Sequence, residues 1–396
     1  MSQQLINLNP DLKQLRDEGY DIEIKSRKYL LIKSVPYVNS SKEVKLGTLV
    51  SDLVLAGDAT AAPNTHVAYF IGNHPCYRDG SEIAQIKYTS NTQTLDTDLV
   101  VQHGFSAVPK PEGKYKNYHH KMETYVALIS AQAQLIDPTV TARTYPVIEC
   151  SEDESVFKYA DTASSRAGID LVTRKLEIGK VAIVGLGGTG SYVLDLLVKT
   201  PVKEIHLFDG DEFLNHNAFR SPGAPSVEQL RERKKKVHYF GELYSKMRRG
   251  IITHDYYVIA SNIQELQGVD FVFLCLDKGG DKRLIVERLE EWNIQFIDVG
   301  IGIQIVDDSL LGVVRVTTST TRQRNHVRDK NRIPFSDGKK NNDYSRNIQI
   351  ADLNALNATM AVIKWKKLFG FYKDFENEHY STYTIDGNTL INEDKI

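Results

Sequence analysis

The chain has 396 residues, of which 41% are hydrophobic and 25% charged, and a formal net charge of −2. That length suits about two or three globular domains with ample core, and the near-neutral balance argues against a general nucleic-acid or membrane-surface role. No run approaches the roughly 18 apolar residues of a membrane helix, and the opening stretch MSQQLINLNPDLKQLRDEGYD lacks the basic start and apolar core of a secretory signal.

Residues 1–20 read as helical. Tyr20–Val38 suggests a hairpin around the turn Lys25-Ser26-Arg27-Lys28. Val44–Val54 and His66–Ile71 read as further strands, with Ala61-Ala62-Pro63-Asn64 a loop between them. Tyr118–Ile136 has helical spacing through Met122, Tyr125, Val126, Ile129 and Ala133. Residues 1–150 therefore form an α+β domain. Residues 151–165, acidic at first and then small and polar, read as a linker to residues 166–396.

Val181–Val184 is a short β-branched apolar run, as a buried parallel strand requires. Gly185-Leu186-Gly187-Gly188-Thr189-Gly190 follows at once, and then Tyr192, Val193, Leu194, Leu196 and Leu197 at helical spacing until Thr200-Pro201. Glycine serves a tight turn and a close approach of backbone to phosphate, and the helix N-terminus offers free N–H groups and a positive dipole end. The strand Ile205–Phe208 ends at Asp209, 19 residues after Gly190, where a carboxylate can accept from a ribose diol. Strand, turn, helix and downstream acid together predict a nucleotide-binding, Rossmann-like half; the bland alternative is a glycine-rich turn that holds nothing.

Asp209-Gly210-Asp211 is followed by Asn217 and Arg220, and then by Lys236-Val237 at the end of a basic run. The strand Phe271–Leu276 leads into Asp277, with Asp281 placed to cap the next helix. Gln295–Val299 reads as a strand, Gly300-Ile301-Gly302 as a turn and Gly312–Thr318 as a strand. Residues 319–346 are polar and irregular, a length that marks a functional or a disordered loop. Asn354–Leu368 is an apolar-faced helix closed by Phe369-Gly370, and Tyr380–Ile385 a last strand.

Five elements in this order resemble the ThiF/E1-like adenylyltransferase superfamily, which activates ubiquitin-like or sulfur-carrier proteins. They are the GxGGxG turn, the D-x-D after the second strand, the N-x-x-R, the lysine before a helix and the aspartate past a later strand, and the resemblance runs from about Ala167 to Gly370. It implies a Rossmann-like α/β domain with a mainly parallel sheet over residues 166–396, and residues 319–346 as a crossover loop over an incoming C-terminal tail.

The activity implied is ATP- and Mg²⁺-dependent adenylation of the C-terminal glycine of a small partner protein. Gly185, Gly187, Gly188 and Gly190 would cradle ATP; Asp209 and Asp211 would fix the ribose, with Asp211 the closer match, and Asn217 would contact the phosphates. Arg220 and Lys236 would supply cations and Asp277 would hold Mg²⁺. Lys234 and Lys235 compete with Lys236, since such a run is commonly a solvated face; Val237 favours Lys236. Family members often work as homodimers with an arginine reaching into the partner's ATP site. Arg166 is the residue expected here, with Arg174 close behind; an exposed arginine at a domain junction is the alternative.

The first 150 residues resemble an uncharacterised domain found before bacterial ThiF-like domains. Gly72–Gly80 is faintly similar to the His-Pro-Asn turn of ubiquitin-conjugating (E2) domains, but Cys76 stands where asparagine would be. Cys76 is thus either a thioester-forming acceptor beside His74 or an ordinary free thiol. The chain has three cysteines, Cys76, Cys150 and Cys275, and no CxxC pair, which excludes a Cys₄ zinc. No cysteine follows Asp277, so the usual thioester position of eukaryotic E1 enzymes is empty. Few cysteines suit a reducing cytoplasm. The competing function is an NAD(P)-dependent oxidoreductase using the same turn and Asp209; against it, Arg220 and Asp277 would lack a role.

Overall fold

The computed structural model describes residues 2–111, 113–276, 279–335 and 348–396. The chain forms two compact units, Met1–Cys150 with Ala160–Gly168, and Ser151–Tyr159 with Ile169–Ile396. The stretch expected as a linker is therefore shared between them. Its first half belongs to the second unit, where the Arg248 guanidinium lies 5.9 Å from the Phe157 ring centroid and Arg249 donates to the carbonyls of Ser155 and Phe157.

The first unit is built on a six-stranded antiparallel sheet. Its order is Ile22–Lys25, Tyr29–Val38, Val44–Asp52, Val67–Ile71, His103–Ser106, Lys87–Thr89. The last two strands, and the small hairpin Gln93–Asp96 with Leu99–Val101, gave no periodic signal because they are short and partly exposed. The opening residues make two helices, Ser2–Leu8 and Pro10–Asp17. Pro10 has no N–H to continue a helix but suits the first position of a new one. Helix Tyr118–Ile136 buries Tyr118, Met122, Tyr125 and Ile129 with Leu30, Ile32, Leu49 and Phe70 of the sheet.

The second unit is an eight-stranded sheet. Its order is Ile251–His254, Glu204–Phe208, Lys180–Val184, Phe271–Leu274, Gln295–Val306, Ser309–Ser319, Tyr380–Thr384, Thr389–Glu393. The first five strands run parallel and the last three pair antiparallel, a mainly parallel Rossmann-like arrangement as expected. Both faces are covered: Val181 and Ile183 join a core with Leu194, Phe240 and Trp365, while Ala182 and Val184 join one with Leu266, Ile285 and Leu289. Double burial explains why Val181–Val184 is an unbroken apolar run without alternation. Chain order reverses between Lys180–Val184 and Phe271–Leu274, and at such a switch point the carboxyl ends of the strands open a crevice.

The expected turn at Gly300-Ile301-Gly302 is not a turn. Gln295–Val306 is one continuous strand, and the reversal comes at Asp307-Asp308, both at positive φ. Gly300 answers a packing need instead: a Cβ there would lie 2.5 Å from the Arg315 guanidinium. Past Ser319 the backbone forms the short helix His326–Asp329, and then Lys330 and Arg332 pair with Asp394 at 2.5 and 2.9 Å. The rest of the expected crossover loop, 336–347, lies outside the described residues. Among the described residues no helix is long and apolar enough to cross a membrane.

Candidate active site

The glycine turn is shaped by contacts that exclude side chains. Gly185 has φ +93°, and a Cβ on it would sit 2.7 Å from the Cys275 carbonyl oxygen. A Cβ on Gly190 would fall 1.9 Å from the Gly185 carbonyl oxygen, so helix and strand meet only through glycine. Gly187 is the exception, with nothing within 4 Å of where its Cβ would be. It also caps helix Gly188–Leu197 without any side-chain hydrogen bond. The first-turn N–H groups and the positive helix end thus face an open position, the arrangement that suits an anion.

The two aspartates after the second strand do different work. Asp209 is buried; it accepts from the Leu186 N–H at 2.6 Å and the Asp211 N–H at 2.8 Å, so its carboxylate braces the turn. Asp211 is half exposed, with one oxygen 2.6 Å from Lys236 Nζ and the other accepting from the Tyr257 hydroxyl. That hydrogen bond, and then burial, push the Tyr257 phenol up to about 12. Of the three candidate lysines only Lys236 turns inward. Its side chain is buried and also reaches Asp209 at 3.5 Å, whereas Lys234 pairs with Glu232 and Glu242 and Lys235 donates to the Gly210 carbonyl.

Asn217 is buried and its side-chain oxygen accepts from the Leu214 N–H at 2.8 Å, which shapes the loop carrying Arg220. Arg220 Nε is buried with no hydrogen-bond partner among the described residues. Its carbonyl accepts from Asn354 at 3.4 Å. Asn354, in the first turn of helix Ala351–Leu368, also accepts from the Thr189 hydroxyl at 3.0 Å. Its amide lies so close to Gly188 that a Cβ there would be 2.1 Å from Nδ2. Asn354 thereby ties the glycine turn to the Arg220 loop. Nothing local in the sequence marks this asparagine, on a helix 165 residues from Thr189.

A second unforeseen group borders the strand ends. Asp298 is fully buried between Lys282 and Arg315, each 2.7 Å away, and so ties helix Gly279–Glu291 to two strands. Asp277 lies outside the described residues; strand Phe271–Leu274 ends shortly before it and helix Gly279–Glu291 begins shortly after.

Arg166 belongs to the first unit. It ends helix Thr162–Arg166, with its guanidinium 5.6 Å from the Tyr145 ring centroid, and lines a cavity with Lys13, Asp17, Glu18 and Arg143. The other described candidates for the nucleotide site belong to the second unit. Cys76 is buried, its thiol donates to the His74 carbonyl at 3.3 Å, and burial followed by Glu82 and Asp79 pushes its pKa up. These features suit an inert thiol and weigh against an acyl acceptor. Burial raises Cys275 as well. Among the described residues the one group spaced to hold a metal is Glu18, His119 and Glu123. Arg143 lies 3.1 and 3.5 Å from its two carboxylates, which answers their charge without an ion.

The ThiF family matches residues 160–363, just over half of the chain, and a domain of unknown function, DUF6791, matches residues 10–162. No curated protein matches. Among solved structures, E. coli MccB with ATP is 17% identical, with a TM-score of 0.43 over 59% of this chain and 69% of that one. The microcin C7 biosynthetic enzyme MccB in complex with N-formylated MccA is 18% identical, with a TM-score of 0.46 over 59% and 70%. PaaA is 18% identical, with a TM-score of 0.42 over 56% and 75%. With its glycine turn, its Rossmann-like sheet and a family match across residues 160–363, the chain belongs to the ThiF family.

Proposed function

We propose that the second unit uses ATP to adenylate the C-terminal glycine carboxylate of a small ubiquitin-like or sulfur-carrier protein. The observation that carries this reading is a chain of contacts around an open helix N-terminus: buried Lys236 reaches Asp209, which braces the glycine turn, and Asn354 ties that turn to the loop of Arg220, whose Nε has no hydrogen-bond partner among the described residues. In the reaction a carboxylate oxygen bonds to the α-phosphorus, the bond to the bridging oxygen breaks, and pyrophosphate leaves with the electron pair. The nucleophile is already ionised at neutral pH, so no general base is required. Alignment and charge neutralisation remain, and fixed cations and backbone dipoles supply both.

In this reading Gly185, Gly187, Gly188 and Gly190 let the phosphates approach, and Arg220 and Lys236 meet their charge, Arg through a planar fork and Lys as a point charge. Asp211 takes the ribose. Asp209 and Asn217 act by holding the turn and the Arg220 loop in place. Asp277 is the residue that would hold Mg²⁺, which would shield the triphosphate. A homodimer in which Arg166 of one copy serves the other's site, and a separate acceptor protein for the activated carboxylate, belong to the same proposal.

Calorimetry separates this reading from the oxidoreductase. ATP with Mg²⁺ is expected to bind, Lys236→Ala to weaken it roughly tenfold or more, and NAD⁺ to bind far less well. Binding of NAD⁺ in preference to ATP would overturn the assignment.

A further inference from the structure

Asp211, the carboxylate read above as the ribose ligand, already holds a hydroxyl. Tyr257 donates its phenolic proton to one Asp211 oxygen, while Lys236 Nζ sits 2.6 Å from the other. The contact is built into the chain at both ends. On one side the Tyr257 ring lies against Gly210, where a Cβ would be 2.9–3.1 Å from three ring carbons, so only glycine between the two aspartates lets the phenol in. On the other side Asn262 fixes the backbone, donating to the Tyr257 carbonyl at 2.9 Å and accepting from the Ile259 N–H at 2.7 Å. The neighbouring Tyr256 is anchored separately, on Glu265 and on His254. Tyr257 itself is 50% exposed, so its ring can change rotamer without opening the core.

We propose that Tyr257 is a specificity-determining residue of the nucleotide site, its hydroxyl standing in on Asp211 for a ribose hydroxyl until a nucleotide displaces it. The inference rests on the reading of Asp211 as the ribose ligand. A ribose diol brings two O–H donors where the phenol brings one, so a ribonucleotide exchanges favourably. A sugar without hydroxyls has nothing to give the carboxylate and leaves the Tyr257 contact in place. Tyr257 therefore lowers the affinity for ATP, by the strength of the bond it must give up, and leaves a dideoxynucleotide untouched.

The test is equilibrium binding of ATP and of 2′,3′-dideoxyATP, each with Mg²⁺, to wild type, Tyr257→Phe and Tyr257→Ala, with thermal melts to verify folding. Removing the hydroxyl is expected to tighten ATP roughly tenfold, the scale of a hydrogen bond to a charged group, in both variants, while dideoxyATP stays unchanged. Weaker ATP binding by Tyr257→Phe would make the residue an ordinary nucleotide contact and overturn the proposal. Equal tightening of both nucleotides would make it a steric obstacle, and no change in either would make it a bystander; each result overturns it. If wild type and variants bind neither nucleotide, the nucleotide reading of the site fails and the inference falls with it. Asp211→Asn is expected to abolish the preference for ATP over dideoxyATP.

Discussion

At Gly188 a hydrogen atom occupies the place where any other residue would put a carbon into the amide of Asn354. The asparagine in turn holds Thr189 with one end and the Arg220 carbonyl with the other. Gly188→Ala should push Asn354 out of both contacts, cost about 1–3 kcal/mol of stability, and weaken ATP roughly tenfold. Asn354→Ala should recover the stability in the double variant but not the affinity, because the space is relieved while the tie to Arg220 stays broken. Thermal melts and calorimetry on the two single variants and the double check this; a double variant as unstable as Gly188→Ala alone would place the clash elsewhere. Residues of this kind separate what could be read in the chain from what could not. Gly185 and Gly190 were legible because strand, glycine turn and helix follow one another in the chain, even though both also meet Cys275, far along it. Asn354, Tyr257 and Asp298 were not, because no spacing rule connects them to partners that lie 165, 46 and 17 residues away.

At the scale of an element, helix Tyr118–Ile136 carries an unusual burden for its place in a core. Lys121 is fully buried beside Met122 and Tyr125, and its Nζ has no hydrogen-bond partner among the described residues. Burial pulls its pKa from 10.5 down to about 8, with Asp52 opposing. A lowered lysine means that the unfolded chain binds more protons than the folded one between those two values. Stability should therefore rise with pH from about 8 toward 10.5, and the full penalty, roughly 3 kcal/mol, is carried below pH 8. Buried tyrosines such as Tyr115, pushed up to about 12, act the other way once the unfolded tyrosines ionise near pH 10. The buried thiols Cys76 and Cys275, also raised, act the same way as the tyrosines from about pH 8.5 upward, so Lys121 is isolated by the difference in slope between wild type and variant. Lys121→Met should stabilise the protein by about 1–3 kcal/mol at pH 7 and flatten this slope, as read by urea melts; a slope unchanged in Lys121→Met would assign the pH dependence to other groups. Elements were legible to differing degrees for the same kind of reason. The doubly buried strand Lys180–Val184 announces itself as an apolar run. Gln295–Val306 was read as strand and turn because Gly300 serves Arg315 rather than a bend, while Gly302 sits in the strand with open space beside it.

Across the whole molecule, most of the ThiF match falls on one unit and the match to a domain of unknown function on the other. The Rossmann-like sheet was legible because alternation of strand, turn and helix leaves a strong local pattern. The first unit was readable only in outline, its added strands being too short, and Lys87–Thr89 too exposed, to leave one. The functional claim concentrates on the second unit and is one of charge: a carboxylate that needs no base, met by fixed cations at an open helix end. ATP–pyrophosphate exchange, driven by a β-grasp protein ending in glycine, tests it most directly. Exchange is expected in wild type, to fall by about 10²–10³-fold in Lys236→Ala, and to be lost in Asp277→Ala. Exchange that persists undiminished in Asp277→Ala, or that needs no glycine-terminated partner, would contradict the account.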